Sequence, residues 1–146
     1  MATRILLVDD DPAGAELTAA ALHELGYGSG VSMASDGEEA LDFLFRRGPF
    51  SSAPDSPPSV VLLDLKMPKV DGHEVLRQIR ADPRLRHTRV VVLTSSDQEA
   101  DIKRSRELGS DAYLVKPTSI VELIDQLGRL SPAWHPGSDP TTPTNP

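Results

Sequence analysis

The 146-residue sequence contains no cysteine and no long run of apolar residues. The lack of cysteine excludes a disulfide framework and a thiolate metal site. No stretch approaches the ~18 apolar residues of a membrane span, and a strand begins too close to Met1 to leave room for a signal peptide, so we expect a cytoplasmic protein. The net charge of −7 disfavours nonspecific binding to nucleic acid or anionic membrane, so we expect neither as a partner.

Strand patterns and helix patterns alternate along residues 1–130, which we predict to be one domain. Five βα units of this length predict an α/β fold, a doubly wound five-stranded parallel sheet with five helices. The spacing of Ser96 and Glu99 predicts a capping box at the start of the fourth helix. Residues 131–146 are rich in proline, serine and threonine and are predicted to be a disordered tail, in which only Trp134 should dock. The predicted strands lie at residues 4–8, 31–34, 60–63, 89–93 and 112–115.

Polar side chains that could bind a ligand or take part in a reaction follow four of these strands. The central apolar run, residues 60–63, leads directly into Asp64, which could merely cap the next turn. The carboxyl ends of parallel strands meet at one edge of a sheet, however, and ligands bind there. We therefore expect one cluster formed by Asp9, Asp10, Asp64, Thr94, Ser95 and Lys116.

Three carboxylates at one edge predict a cation site. Two charges ~4 Å apart repel by ~4 kcal/mol at an effective dielectric constant near 20, and Mg²⁺ offsets such repulsion with its preferred oxygen ligands. With Mg²⁺ and Lys116 to neutralise a transferred group, and Thr94 to donate a hydrogen bond, Asp64 could act as the nucleophile of phosphoryl transfer. The histidines lack metal-ligand spacing and are predicted to be surface residues: His23, His73, His87 and His135.

Residues 3–130 resemble a receiver domain of two-component response regulators. The resemblance is carried by Leu7-Val8-Asp9-Asp10-Asp11-Pro12, Leu63-Asp64-Leu65-Lys66-Met67-Pro68 with Asp71-Gly72, Leu93-Thr94-Ser95-Ser96, and Tyr113-Leu114-Val115-Lys116-Pro117. It implies the strand order 2-1-3-4-5, which is the arrangement of chemotaxis-type receivers.

The resemblance also implies a role for each site residue. Asp64 is the phosphoacceptor. Asp10 binds Mg²⁺ directly, Asp9 mainly through water, and Lys66 through its backbone carbonyl. Lys116 contacts the phosphoryl group. The switch pair is Thr94 and Tyr113, of which Tyr113 moves inward when Thr94 moves, and the Lys116–Pro117 bond is cis.

A narrower resemblance, to phytochrome-associated single-domain regulators, rests on the segments 36–50 and 81–86. It implies a phytochrome-type histidine kinase as the upstream partner, with a chemotaxis-type stand-alone receiver as the alternative. The tail around Trp134 departs from that subfamily. About sixteen residues follow the last helix, too few for a DNA-binding output domain.

Two surfaces are candidates for protein contacts. The first helix carries small apolar residues, which indicate either tight packing or a kinase-docking face near Pro12, Gly14 and Pro117. The last helix carries an apolar stripe larger than one sheet face needs, which indicates a homodimer, built on the last two helices and last strand or on an extension of the final helix. A monomer with these residues in its core is the alternative. The stripe consists of Ile120, Leu123, Ile124, Leu127 and Leu130.

Three other functions use some of the same residues. A haloacid-dehalogenase-type phosphohydrolase needs an acid two residues after its nucleophile, and that position is Lys66. A degenerate receiver that only binds partners would not need the complete acid, threonine and lysine set. A flavodoxin-like cofactor binder needs a phosphate-cradling loop after the first strand, which is lacking. We therefore predict a phosphoacceptor signalling protein that catalyses only its own phosphorylation and dephosphorylation.

Overall fold

A computed structural model describes residues 3–51 and 57–134. The described chain forms a five-stranded parallel sheet in the order β2-β1-β3-β4-β5. The predicted fold class and strand order are therefore confirmed. The strands are β1 (Ile5–Val8), β2 (Val31–Ala34), β3 (Val60–Leu63), β4 (Arg89–Thr94) and β5 (Ala112–Val115). The helices are α1 (Pro12–Glu24), α2 (Gly37–Leu44), α3 (Gly72–Ala81), α4 (Glu99–Glu107) and α5 (Ile120–Leu130).

The sheet separates two apolar cores. All four residues of β1 and of β3 are buried, because helices cover both faces of the sheet and successive side chains point to opposite faces. Leu63 and its same-face neighbours pack with α2 and α3. Leu62 and its neighbours pack with α1 and α5. None of the helices in the described ranges is long and apolar enough to span a bilayer.

Side-chain caps fix the starts of four helices. Asp11 accepts a hydrogen bond from the Ala13 N–H, and Pro12 occupies the first helical turn, where no N–H is needed. The caps of α2, α3 and α5 are Asp36, Asp71 and Ser119.

The predicted capping box at Ser96 is wrong. Helix α4 begins at Glu99 after Gln98, which makes no side-chain cap. The Ser96 hydroxyl instead donates to Asp101 Oδ2 at 2.6 Å and accepts from the Gln98 N–H at 3.3 Å. Because the helix starts three residues after Ser96, the Ser96 oxygen reaches the N–H of Gln98, before the helix, and not an N–H of the first helical turn.

The chain after α5 is ordered beyond the predicted boundary at residue 130. Ser131–Trp134 forms a 3₁₀ turn, and Trp134 is 2% exposed in the core between the sheet and α1. The Trp134 ring lies 5.9 Å from the Tyr27 ring, and the Tyr27 hydroxyl donates to the Ser131 carbonyl. Trp134 is thus docked. The rest of the predicted tail, residues 135–146, lies outside the described residues.

Candidate functional site at the carboxyl edge of the sheet

The strand ends converge because the hydrogen bonding of the sheet continues one residue past each strand. The Asp9 N–H donates to the Ala34 carbonyl, and the Asp64 N–H donates to the Val8 carbonyl. The Lys116 N–H donates to the Thr94 carbonyl at 2.7 Å. These bonds place the side chains that follow β1, β3 and β5 at the same edge.

Lys116 bridges the two buried carboxylates. Its Nζ lies 2.8 Å from Asp9 Oδ2 and 3.0 Å from Asp64 Oδ2. Burial alone would lower the pKa of Lys116, but the hydrogen bond to Asp9 and the charge of Asp64 raise it above its ordinary value. Lys116 therefore remains an ammonium group at neutral pH and offers a fixed positive charge beside Asp64.

Thr94 holds the second oxygen of Asp64. The Thr94 hydroxyl is buried and donates to Asp64 Oδ1 at 2.8 Å, and the Lys66 N–H approaches the same oxygen at 3.4 Å. Both carboxylate oxygens of Asp64 thus accept hydrogen bonds. Accepting a new group on Asp64 requires at least one of these donors to move onto that group.

Ser96, in the loop between β4 and α4, contacts both Thr94 and Tyr113. The Tyr113 hydroxyl donates to the Ser96 carbonyl at 2.8 Å, and the Ser96 N–H approaches the Thr94 hydroxyl at 3.4 Å. Burial raises the pKa of Tyr113 above its ordinary value, so the phenol remains a donor. The predicted switch pair therefore reaches α4 through Ser96, whose hydroxyl bonds to Asp101.

Asp10 completes an acidic cluster that fits a divalent cation. One carboxylate oxygen each from Asp9, Asp10 and Asp64 lies within 4.8 Å of the others. Asp10 is exposed, and no group of the described residues donates to its carboxylate. Burial raises the pKa of Asp9, and the hydrogen bond from Lys116 offsets only part of this shift. The cluster sets three carboxyl groups against the single ammonium group of Lys116, and its hard oxygen donors suit Mg²⁺ or Mn²⁺.

An open cavity of about 450 Å³ adjoins Asp10 and provides access to the cluster. Lys66 and Met67, after β3, line one part of it, and His73 and Asp101 line another. Lys66, predicted to supply a backbone carbonyl, is therefore beside Asp10. A metal ion could reach the Asp10 carboxylate from this direction.

Two predictions about individual residues are wrong. The described residues contain no cis peptide bond, so the Lys116–Pro117 bond is trans. Trans is the more stable form of an X–Pro bond by about 0.5–1 kcal/mol, and the surroundings of Pro117 do not reverse that preference. His73 is buried rather than on the surface, because its ring faces α4 and bonds to Ser105 Oγ at 3.1 Å. His23 and His87 are exposed, and His135 lies outside the described residues.

Gly14, predicted to belong to a docking face, lies directly over the ion pair. A Cβ at this position would sit 3.1 Å from Asp9 Oδ2 and 3.5 Å from Lys116 Nζ. Pro12 is exposed and Pro117 is half-buried at the same rim. The site itself therefore limits the side chain at position 14, whether or not a partner docks there.

The sequence patterns used above could not identify the contacts that join the site to α4. These contacts are made by Ser96, Asp101 and Ser105. The spacing around Ser96 indicates a helix cap, and the composition of α4 indicates only a charged, exposed helix. Ser105 is the one buried residue of α4. A serine on an otherwise charged helix is the available signal for this contact.

The fold and the acidic edge define a flavodoxin-like α/β domain whose site can accept a group on a carboxylate. The family model of the response regulator receiver domain matches residues 5–128, and the chain belongs to this family. Receiver domains are signalling phosphoacceptors in phosphorelays and bind Mg²⁺ or Mn²⁺ at an acidic pocket. The phosphohydrolase and cofactor-binding alternatives are not favoured.

Relatives include phytochrome-associated regulators. The probable methanogenesis regulatory protein FilR2 of Methanothrix harundinacea is 41% identical over 130 residues, which are 89% of this chain and 82% of that protein. Response regulator Rcp1 of Synechocystis is 35% identical over 130 residues, 89% of this chain and 87% of that protein. The solved Mn²⁺-bound form of Rcp1 has a TM-score of 0.79 at 32% identity over 99% of both chains. The bacteriophytochrome response regulator RtBRR has a TM-score of 0.80 at 42% identity, covering 99% of this chain and 87% of that chain.

Proposed function

We propose that Asp64 accepts a phosphoryl group from the phosphohistidine of a histidine kinase, in a Mg²⁺-dependent reaction. A carboxylate oxygen of Asp64 forms the new bond to phosphorus while the bond from phosphorus to the histidine nitrogen breaks. The observation that carries the proposal is the position of Asp64, between the donors Lys116 and Thr94 and beside the free carboxylate of Asp10. Mapping the residue modified by a small phosphodonor such as acetyl phosphate tests the assignment.

Each neighbour of Asp64 has a separate role in this proposal. Asp10, Asp64 and the Lys66 carbonyl would hold Mg²⁺ directly, and Asp9 would hold it mainly through water. The bound Mg²⁺ supplies positive charge to the oxygens of the transferred group. Lys116 and Thr94 leave Asp64 to contact the phosphoryl oxygens, and the chain catalyses only the addition and loss of its own phosphoryl group.

The signal then passes from Thr94 to α4. When the Thr94 hydroxyl turns to the phosphoryl group, Tyr113 follows it and changes its contact with the Ser96 carbonyl. Ser96 is tied to Asp101 of α4, so the movement reaches an exposed helix. The net charge of −7 argues against nucleic acid or a membrane as the downstream target of this signal. We place the protein in the cytoplasm with its kinase.

The proposed kinase is of the phytochrome type, so phosphorylation should follow light. RtBRR, which is named as a bacteriophytochrome response regulator, supports this choice through its 42% identity over 99% of this chain. FilR2 bears a methanogenesis name, so similarity alone allows other stimuli. A chemotaxis-type receiver that binds a motor is the second candidate.

Illumination distinguishes these candidates. The protein is mixed with ATP and a red/far-red phytochrome kinase from the same source, under each light. Labelling of Asp64 is expected to change several-fold between the two light states. A kinase that phosphorylates itself but transfers nothing in either state would remove this partner and leave the receiver assignment intact.

The kinase is proposed to dock on α1 and the Pro117 loop, and the same assay can test the surface. Gly14 is a poor position for substitution because its Cβ would contact Asp9. Ala13 is exposed on the first turn of α1. Ala13→Arg should slow transfer from the kinase while labelling by acetyl phosphate stays at the wild-type rate. Equal slowing of both reactions would indicate damage to the site.

We also propose that the protein is a homodimer through β5 and α5. The apolar stripe of α5 does not itself support a dimer, because Leu123 and Leu127 are core residues and the rest of the stripe packs beside them. Val115, the last residue of β5, is 40% exposed, and Val121, in the first turn of α5, is 72% exposed. Within the described residues α5 ends at Leu130, so an extension of that helix is not the basis of the proposal.

Light scattering at micromolar concentration should give twice the 15.8 kDa chain mass. Val121→Lys is expected to shift the protein to the single-chain mass, because a lysine at the proposed interface would have to be desolvated. Met33→Lys is the matched control, since Met33 is 48% exposed on β2 at the opposite edge of the sheet. A single-chain mass for the wild type, phosphorylated or not, would end the proposal.

A further inference from the structure

The loop between β3 and α3, residues 64–71, contacts the start of α2 through two kinds of interaction. The Lys69 ammonium lies 3.5 Å from Asp36 Oδ2 and 3.6 Å from Glu38 Oε2. Between these two acids, a Cβ on Gly37 would overlap the Val70 carbonyl oxygen. The start of α2 and the crest of the loop are therefore complementary in both charge and shape.

The same loop carries part of the proposed metal site. It begins at Asp64 and contains Lys66, whose backbone carbonyl is the proposed third protein ligand. Its far end is fixed, because the Gly72 N–H donates to the Leu65 carbonyl at 2.8 Å. Movement of the loop crest would change the direction of the Lys66 carbonyl without moving Asp10.

Lys69 holds this crest in an unfavourable backbone conformation. Its φ of +67° lies in the left-handed region that L side chains rarely adopt. Such a conformation persists only where surrounding contacts determine it. Met67 and Val70 pack against the core on the buried side of the loop, and the Lys69 ion pairs restrain its exposed side.

We propose that Lys69 is a positioning residue for the divalent cation, and that Asp36, Gly37 and Glu38 form its receptor. The inference rests on the proposed metal site. Asp36 can serve two partners because its Oδ1 caps α2 at the Glu39 N–H while Oδ2 faces Lys69. The Asp-Gly-Glu segment at the start of α2 and the Lys-Val pair before α3 thus act as two halves of one contact.

Electrostatics and positioning predict opposite effects of removing the Lys69 charge. Removal of a positive charge would strengthen Mg²⁺ binding if charge alone mattered. Loss of the Lys66 carbonyl position would weaken it. Residues that orient metal ligands typically change metal affinity 10- to 100-fold, and the exposed Lys69 pairs should give a smaller effect, about three- to tenfold weaker binding in Lys69→Met.

The test is a Mg²⁺ titration of the full chain followed by amide NMR signals. Lys69→Met should bind Mg²⁺ about three- to tenfold more weakly than the wild type, and Lys69→Arg should restore most of the affinity. Lys103→Met is the matched control. Lys103 pairs with Glu107 on the exposed surface of α4, and its substitution gives the same net charge as Lys69→Met. In metal-free protein, amide hydrogen exchange at residues 66–70 should be faster in Lys69→Met, while the midpoint of global unfolding should be unchanged, as for other surface substitutions.

The outcomes separate this inference from the metal site on which it rests. If the wild type binds no Mg²⁺, both fail. If the wild type binds Mg²⁺ and Lys69→Met binds as tightly or more tightly, only the positioning role fails. Equal weakening in Lys69→Met and Lys103→Met would also overturn it, because the effect would not depend on the loop.

Discussion

Asp64→Asn is expected to abolish acid-labile phosphate incorporation, with labelling at least about 100-fold slower than in the wild type. The carboxamide has nearly the same shape and can still accept from Thr94, so the fold should persist. It lacks the anionic oxygen that forms the bond to phosphorus. The measurement is the rate of labelling by acetyl phosphate with Mg²⁺, followed by mapping of the modified residue.

Asp97→Asn is a suitable control for this experiment. Asp97 is exposed in the loop before α4, close to the same edge of the sheet, and its substitution removes one negative charge as Asp64→Asn does. Its labelling should stay near the wild-type rate. Labelling of Asp64→Asn at that same rate would show that another residue is the phosphoacceptor.

Lys116→Ala is expected to slow labelling by about 10- to 100-fold while Mg²⁺ affinity stays within a few-fold of the wild type. The rate should fall because a preorganised positive charge beside the transferred group is lost, and single donors of this kind are worth up to about 10²–10³ in rate. Mg²⁺ affinity should be retained because Lys116 supplies no ligand and its removal frees Oδ2 of both Asp9 and Asp64.

Two further measurements accompany this variant. Phosphorylation-dependent changes in the NMR signals around Tyr113 should be lost, because the variant has no ammonium group at position 116 to contact the phosphoryl group. The pKa of Lys116 is raised, so Lys116 should stay protonated at any pH below the ordinary lysine pKa of about 10.4. Loss of its proton should therefore not lower the wild-type labelling rate in that pH range. A tenfold loss of Mg²⁺ binding in Lys116→Ala would contradict the separation between metal binding and phosphoryl contact.

The sheet and the site cluster could be predicted from local patterns. Apolar runs ending in polar residues identify buried parallel strands, and chain geometry then brings Asp9, Asp64 and Lys116 together. The strand order came from the family resemblance, because a pattern of βα units does not by itself specify which strands are neighbours. The residues at the strand ends could be identified without side-chain detail because the carboxyl ends of parallel strands all lie at one edge of the sheet.

The errors arose where tertiary contacts decide between local alternatives. The isomer of the Lys116–Pro117 bond depends on the packing of its loop, which no local signal reports. Ser96 matched a cap pattern but bonds to Asp101. His73 could have been placed correctly, since it shares a helical face with Leu76, a core residue three positions later.

The apolar stripe of α5 exceeds what one sheet face needs because α5 also packs against α1. Small residues on α1 allow close approach of α5, and a Cβ on Gly128 would lie 3.3 Å from Leu25 Cδ2. Trp134 adds a further apolar surface beside α5 that depends on where the chain turns after Leu130. Such packing between helices depends on distances that sequence patterns do not contain.

The shallow burial of α4 and β5 sets the thermodynamic scale on which this domain can respond. Helix α4 buries only Ser105, and β5 is an edge strand with no fully buried residue. Coupling free energies between sites are typically 1–3 kcal/mol, whereas each large core side chain contributes a similar amount on its own. In the proposed function, phosphorylation would shift the population of α4 conformers without disrupting either core, and a partner would detect that shift against the unchanged remainder of the domain.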